Sequence, residues 1–302
     1  MSCGVVNLLK PPGMTSSDAV VELRRLFGQK RVGHTGTLDP GAAGVLPICV
    51  GRATRLFDYL VDKDKEYIAE ITFGAAADTQ DSYGRAVERA QTYVTAEALR
   101  TVLPAFLGEQ EQTAPMYSAL SSGGKKLYQL ARAGAEVVEK RRTVHIETLE
   151  FLKQTGLQSF LLRVECGRGT YVRTLCYDIG RRLNAPAYLS FLLRSRSGSF
   201  DLDGAYTLDE LHALKEAGAL QSVLIPPDAA LPGLPEARLA LDADERRLFM
   251  NGATITPRGW EDLPQNIPLR AYVADTFQGL ARAGADGIRM ILFLEEDKQS
   301  DG

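Results

Sequence analysis

The chain has 302 residues, more than one compact domain ordinarily holds, and its composition, 45% hydrophobic and 24% charged, excludes disorder, collagen and coiled coil. Cys3, Cys49, Cys166 and Cys176 form no C-x-x-C pair, and with only His34, His145 and His212 to add, a structural zinc has no ligand spacing; free, mostly buried thiols are expected. The net charge of −3 taken alone speaks against a nucleic-acid partner, because phosphate binding is driven by Lys and Arg displacing counterions.

In chain order, VVNLL (5–9) is a short apolar run closed by Pro11, Pro12 and Gly13, as in a buried strand entering a turn. Ser16, Ser17 and Asp18 offer caps for a helix whose Val20, Val21, Leu23, Leu26 and Phe27 recur at helical spacing until Gly28 stops them. GHTGTLDPGAAG (33–44) is a loop, GVLPICVG after it a strand, and ATRLFDYLVD a helix. KEYIAEITFG (65–74) alternates as a strand with Tyr67, Ala69, Ile71 and Phe73 on one face. TVHIETLEFL (143–152) and SFLLRVEC (159–166) are further strands, and GTYVRTLCYDIGRRL (169–183) is a helix begun by a glycine-containing turn. Without a regular βαβ beat, the class expected is α+β, with a mixed sheet.

IPPDAALPGLPEA (225–237) has four prolines and a glycine, a stiff composition suited to a domain boundary. The short alternating runs beyond it, IPLRAYVAD and GIRMILFLEE, predict a small β-rich domain packed on the larger one. The N-terminus lacks a basic stretch followed by an apolar core, and no run approaches the ~18 apolar residues of a membrane helix, so a cytoplasmic protein without a membrane partner is expected.

Charge is unevenly spread. Lys125, Lys126, Arg132, Lys140, Arg141 and Arg142 stand against Glu136 and Glu139, and a second cluster comprises Arg181, Arg182, Arg194 and Arg196. Either cluster, read by itself, is a solvated face.

GHTGTLDPGAAG packs four glycines around His34 and Asp39. An isolated Asp-Pro-Gly is a tight turn, with Pro presetting φ. A phosphate cradle would need G-x-x-x-x-G-K-[ST] or G-x-G-x-x-G, which are missing, and the central acid repels phosphate. A third reading makes Asp39 a carboxylate displayed by a rigid loop; to act as nucleophile or base under a bound substrate it needs a buried cationic partner. Composition alone favours the turn.

GHTGTLDPGAAGVLPICVGRATRL resembles the signature of the TruB family of pseudouridine synthases. NLLKPPGMTSSDAV is similar to that family's opening segment, DKEYIAEITFG to its tyrosine strand and DTQDSYG to the following loop. APMYSALSSGGKKLYQLARAG resembles its RNA-gripping insertion, CGRGTYVRTLCYDIG its arginine motif and LSFLLRSRSGSF its closing segment. These blocks fall in the family's order over about 1–210. The chain departs from the pattern at Leu9, where an acidic residue is usual, and at Ser121, where a basic one is.

The resemblance implies a catalytic domain over 1–230, with a mostly antiparallel sheet and an insertion at about 113–145, and a PUA-like RNA-binding domain over 237–302. The implied reaction is isomerisation of uridine 55 in the T-loop of tRNA by base flipping, with no cofactor, no metal and no obligate protein partner, in a monomer. It makes Asp39 the catalytic aspartate, Arg173 its arginine partner and Tyr67 the tyrosine that stacks on uracil and a candidate base for the C5 proton. Tyr171 and Leu193 would line the pocket, His34 would help hold the flipped-out RNA and Lys10 would have a supporting, not a chemical, role. Lys125, Lys126, Arg132 and Arg141 would clamp RNA phosphates. The alternative from another class is a catalytically silent tRNA-binding or tRNA-folding module.

Overall fold

The computed structural model describes residues 2–61, 63–113, 115 and 141–294, and the backbone of 121–122 and 125–126. Its frame is a nine-stranded sheet. One flank is built from β1 (Gly4–Lys10), β2 (Val32–His34) and β3 (Ala43–Val50), with β1 and β2 both antiparallel to β3. The other flank contains β4 (Lys65–Phe73), β7 (Gly108–Thr113), β10 (Arg141–Gln154) and β11 (Ser159–Cys166), all antiparallel to their neighbours. The flanks are joined by β12 (Ala187–Ser197), which runs antiparallel to β4 and touches β3 in parallel through Leu193 and Arg194. Short hairpins pair β5 (Ala75–Ala77) with β6 (Ala86–Arg89) and β8 (Ser121–Ser122) with β9 (Lys125–Lys126), and β13 (Phe200–Asp201) folds back on β12.

The two longest helices cover one face. α1 (Ser16–Phe27) buries Ala19, Val20, Leu23 and Leu26; its cap is Thr15, whose side chain accepts from Asp18 N–H in a capping box, one position earlier than the sequence suggests. α4 (Val172–Arg182) buries Leu175, Cys176 and Ile179 in the same core as Tyr67, Ile71 and Val164. Between them in chain order come the short α2 (Phe57–Val61) and α3 (Ala96–Val102); α5 (Leu208–Glu216) follows. The strand expected at 65–74 has the predicted face inward, and Cys49, Cys166 and Cys176 are buried free thiols.

The polar strand β7, GEQEQT, has little β-propensity and gains its ladder from β10. The Pro-rich segment is no free linker. Val5 and Ile225 exchange backbone hydrogen bonds of 2.9 Å, and Ala230 and Leu231 are buried beside Val45, Leu56 and Leu280. Beyond it stand β14 (Glu236–Leu239), α6 (Ala243–Met250), β15 (Pro268–Val273), β16 (Thr276–Gly284) and β17 (Gly287–Phe293), a four-stranded sheet with a second core around Phe249, Leu269 and Ile288. Arg55 donates to Phe293 O (2.8 Å) and Arg52 to Leu294 O (3.3 Å), so the small sheet is seated on the large one. Among the described residues no helix is long and apolar enough to cross a membrane.

Candidate active site

The stretch 33–44 leaves β2 and re-enters the sheet as β3, and its middle is pinned from several sides. Ser16 Oγ donates to Leu38 O (2.9 Å) and accepts from Leu38 N–H (2.8 Å), while Gly13 N–H donates to Pro40 O (2.8 Å). Lys10 Nζ donates to Pro11 O and Met14 O, both at 2.7 Å, and reaches Pro40 O at 3.5 Å. Arg194, 1% exposed, donates Nε to Val45 O (2.7 Å), Nη2 to Gly36 O (3.3 Å) and Nη1 to Thr37 O (3.4 Å). Ala42 N–H closes the turn on Asp39 O at 3.1 Å. The turn reading is therefore correct as geometry, and the turn is what fixes the carboxylate.

Two of the four glycines answer to close approach. A Cβ on Gly44, whose φ is +122°, would lie 2.2 Å from Arg194 O where β3 meets β12. One on Gly41 would lie 2.1 Å from the Tyr83 ring, whereas Gly33 and Gly36 have room. At these two positions the glycines answer to the Arg194 backbone and the Tyr83 ring.

Arg173, in the first turn of α4, supplies the buried cation that a working Asp39 needs. Its Nε is 2.9 Å from Asp39 Oδ2 and its Nη2 3.4 Å from Oδ1, with the arginine side chain 5% exposed and the aspartate 38%. Nη1 donates to Thr79 O (3.1 Å) and lies 3.8 Å from Asp81 Oδ2, so the loop after β4 grips the same guanidinium. Thr174 Oγ1 donates to Gln80 Oε1 (2.9 Å) beside it.

The pair opens on a pocket of about 230 Å³ whose lining includes Asp39, Tyr67, Tyr171, Arg173, Lys65 and Leu192. Tyr67 sits on the buried face of β4; burial pushes its phenol up to about 12, opposed by the nearby Arg194 guanidinium. That makes it a weaker candidate base than an ordinary tyrosine. Lys65, on the same face, donates Nζ to Lys63 O (2.6 Å) and Val61 O (3.2 Å), and burial pushes it down to about 8. Tyr171 is held through its backbone: its N–H donates to Gln112 Oε1 (3.0 Å), and Gln112 Nε2 donates to its carbonyl (3.3 Å).

The structure thus brings Asp39, Tyr67, Tyr171 and Arg173 together. It does not bring Leu193: the pocket is lined by Leu192, and adjacent strand residues point to opposite faces of the sheet. Lys10 and His34 stand outside the lining. Lys10 acts beneath the turn, and burial, followed by the repulsion of Arg194, lowers it to about 8. His34 is half-buried, its Nδ1 has no hydrogen-bond partner among the described residues, and burial followed by Arg194 lowers its pKa. Arg141 is exposed at the root of the insertion; Arg132 and the side chains of Lys125 and Lys126 lie outside the described residues.

Arg194, read from sequence as part of a solvated face, is instead the buried cation that organises the loop. Its parity with Leu192 on an apolar strand was the available signal. Gln112 carried none, since nothing in a polar run marks the one side chain that turns inward.

Residues 24–172 match the TruB family pseudouridylate synthase N-terminal domain, and residues 173–232 match the tRNA pseudouridylate synthase B C-terminal domain. The chain is 48% identical over 293 residues to the tRNA pseudouridine synthase B of Pelotomaculum thermopropionicum, covering 94% of this chain and 92% of that one. To the protein of that name from Bacillus subtilis it is 46% identical over 239 residues, 77% of each chain. Among solved structures it resembles a chain of a Cbf5-Nop10-Gar1 complex, with a TM-score of 0.69 and 26% identity over 92% of this chain and 78% of that one. It shares the fold of a chain in an H/ACA RNP bound to a substrate RNA containing 2'-deoxyuridine, with a TM-score of 0.71 and 23% identity over 97% of this chain and 86% of that one. The two adjoining family matches divide inside the arginine motif, between Val172 and Arg173, so both are needed to complete the Asp39 pocket. The chain belongs to the TruB family of pseudouridylate synthases.

Proposed function

We propose that the chain isomerises uridine 55 in the T-loop of tRNA, with Asp39 as the group that starts the reaction. Isomerisation of uridine to pseudouridine in tRNA is the activity of the synthases it matches, and it is the activity of this chain. The observation that carries the role of Asp39 is its ion pair with the buried Arg173 on the wall of a pocket that also presents two tyrosines.

The reaction breaks N1–C1′, turns the base and forms C5–C1′; the C5 proton leaves and N1 gains one, so neither electrons nor water are exchanged and no cofactor is called for. Flipping the uridine out of its stack costs a few kcal/mol, and stacking on a ring such as Tyr67 returns ~1–3 kcal/mol. Asp39 then serves as nucleophile toward base or sugar, or as the base that removes the C2′ proton. Both uses want a carboxylate held still, as Arg173 holds Asp39 in a pocket lined by Leu192 and the tyrosines.

The division of labour we propose is a catalytic domain over 1–230 and a PUA-like RNA-binding domain over 237–302, acting as a monomer in the cytoplasm. Arg141, with Lys125, Lys126 and Arg132, would meet phosphates, and His34 would brace the flipped-out RNA.

An unmodified tRNA transcript, incubated with the chain and mapped by pseudouridine-specific labelling, is expected to show one new mark at position 55 and none when that uridine is replaced by cytidine. Tight binding of the transcript with no mark anywhere would favour the binding-module alternative instead.

A further inference from the structure

Next to Asp39 lies a second cleft that shares Asp39, Arg173 and Leu192 with the reaction pocket. Its lining includes two aromatic residues, Tyr83 and Phe191, which are 67% and 47% exposed. Single exposed aromatics are ordinary on a protein surface. These two share one cleft beside the carboxylate, and the backbone that carries Tyr83 is pinned. Tyr83 N–H donates to Asp81 Oδ1 (3.0 Å), which also accepts from Thr79 Oγ1 (2.6 Å). The flanking backbone is stitched to β12, with Ser82 N–H on Leu189 O and Leu189 N–H on Gln80 O, both at 3.0 Å. The ring lies against the Asp39 turn, where a Cβ at position 41 would come within 2.1 Å of it. Phe191 stands at a bulge in β12, where the register with β4 shifts between Leu189 and Phe191.

An aromatic face held open to solvent beside a base-flipping pocket suits a nucleobase, because loop RNA presents unstacked bases and any base can stack on such a ring. We propose that Tyr83 and Phe191 form a stacking site for the unpaired base adjoining the target uridine in the same RNA. This rests on the function proposed above. The site adds affinity and sets the register of the RNA over Asp39, while the chemistry stays with the neighbouring pocket.

The test is a double-mutant cycle in binding, using a T-arm RNA and two versions of it in which the nucleotide on the 5′ or the 3′ side of the target is abasic. On the intact RNA, Tyr83→Ala is expected to weaken binding about 5-fold to 100-fold, with Tyr83→Phe close to wild type because the ring matters and the hydroxyl does not. On one of the two abasic RNAs, wild type should fall to the level of the variant and Tyr83→Ala should cost nothing further; Phe191→Ala should behave in the same way. An equal cost on all three RNAs would overturn the stacking site, as would intact affinity in both alanine variants. Conversion of the intact RNA by wild type, followed in parallel, separates the two readings: its absence would refute the proposed function, whereas an additive cycle in an active enzyme would refute only the stacking site.

Discussion

Arg173 contacts both Asp39 oxygens with a rigid fork, a geometry that one ammonium cannot reproduce. Arg173→Lys is therefore expected to lower the single-turnover rate about 10²-fold while leaving tRNA affinity within a few-fold, measured by rapid quench and filter binding. Equal losses in both would mean that the arginine serves binding. Lys10 gives a pH signature of the loop. Because burial pushes it down to about 8 from 10.5, the folded chain holds fewer protons at this position than the unfolded chain between those values. Stability from this group then rises with pH across that window. Urea denaturation should show wild type gaining on Lys10→Met as pH goes from about 8 to about 10. A constant or shrinking gap would contradict a lysine whose pKa is lowered by burial. At this scale the sequence made Asp39, Tyr67 and Arg173 legible through resemblance, because motif residues are read by type and order. Arg194 was hidden, since an arginine's type says nothing about whether it is solvated or buried against three carbonyls.

Among the elements, the contact between β3 and β12 positions the site, because it joins the two flanks of the sheet under the Asp39 turn. Gly44 is where a side chain would break it. Gly44→Ala is expected to destabilise the protein by ~2–4 kcal/mol, since a Cβ there meets immovable backbone and the φ is left-handed. Gly41→Ala meets only the exposed Tyr83 ring, which can swing away, and should cost clearly less in thermal denaturation. The reverse order would mean that the turn, not the strand contact, is the strained element. Strands with clean alternation, such as β4 and β11, were legible from their period. β12 was not assigned as a strand from sequence, although it lies at the centre of the sheet, because its apolar run passes into Arg and Ser with a bulge on the way. β7 was hidden for the opposite reason: a wholly polar strand forms only because β10 supplies its partners.

At the scale of the molecule, composition pointed away from the substrate. A net charge of −3 conceals local basic faces, and phosphate contacts depend on the local field. We expect tRNA binding to weaken steeply between ~50 and ~200 mM salt; an affinity indifferent to salt would exclude a phosphate clamp. The proline-rich segment stood out in composition, but its docking did not, because only the folded chain shows Ala230, Leu231 and Leu280 in one core with Val5 and Val45. That shared core predicts a single calorimetric transition for the whole chain, where two separate transitions would mark independently folding domains. All of this serves one carboxylate. The most direct measurement of its role is tritium release from tRNA labelled at C5 of uridine, without added metal or cofactor, for wild type beside Asp39→Asn. We expect release to approach one tritium per RNA for wild type and none for the variant at equal tRNA affinity; release by the variant, or none by either protein, would contradict the assignment of Asp39.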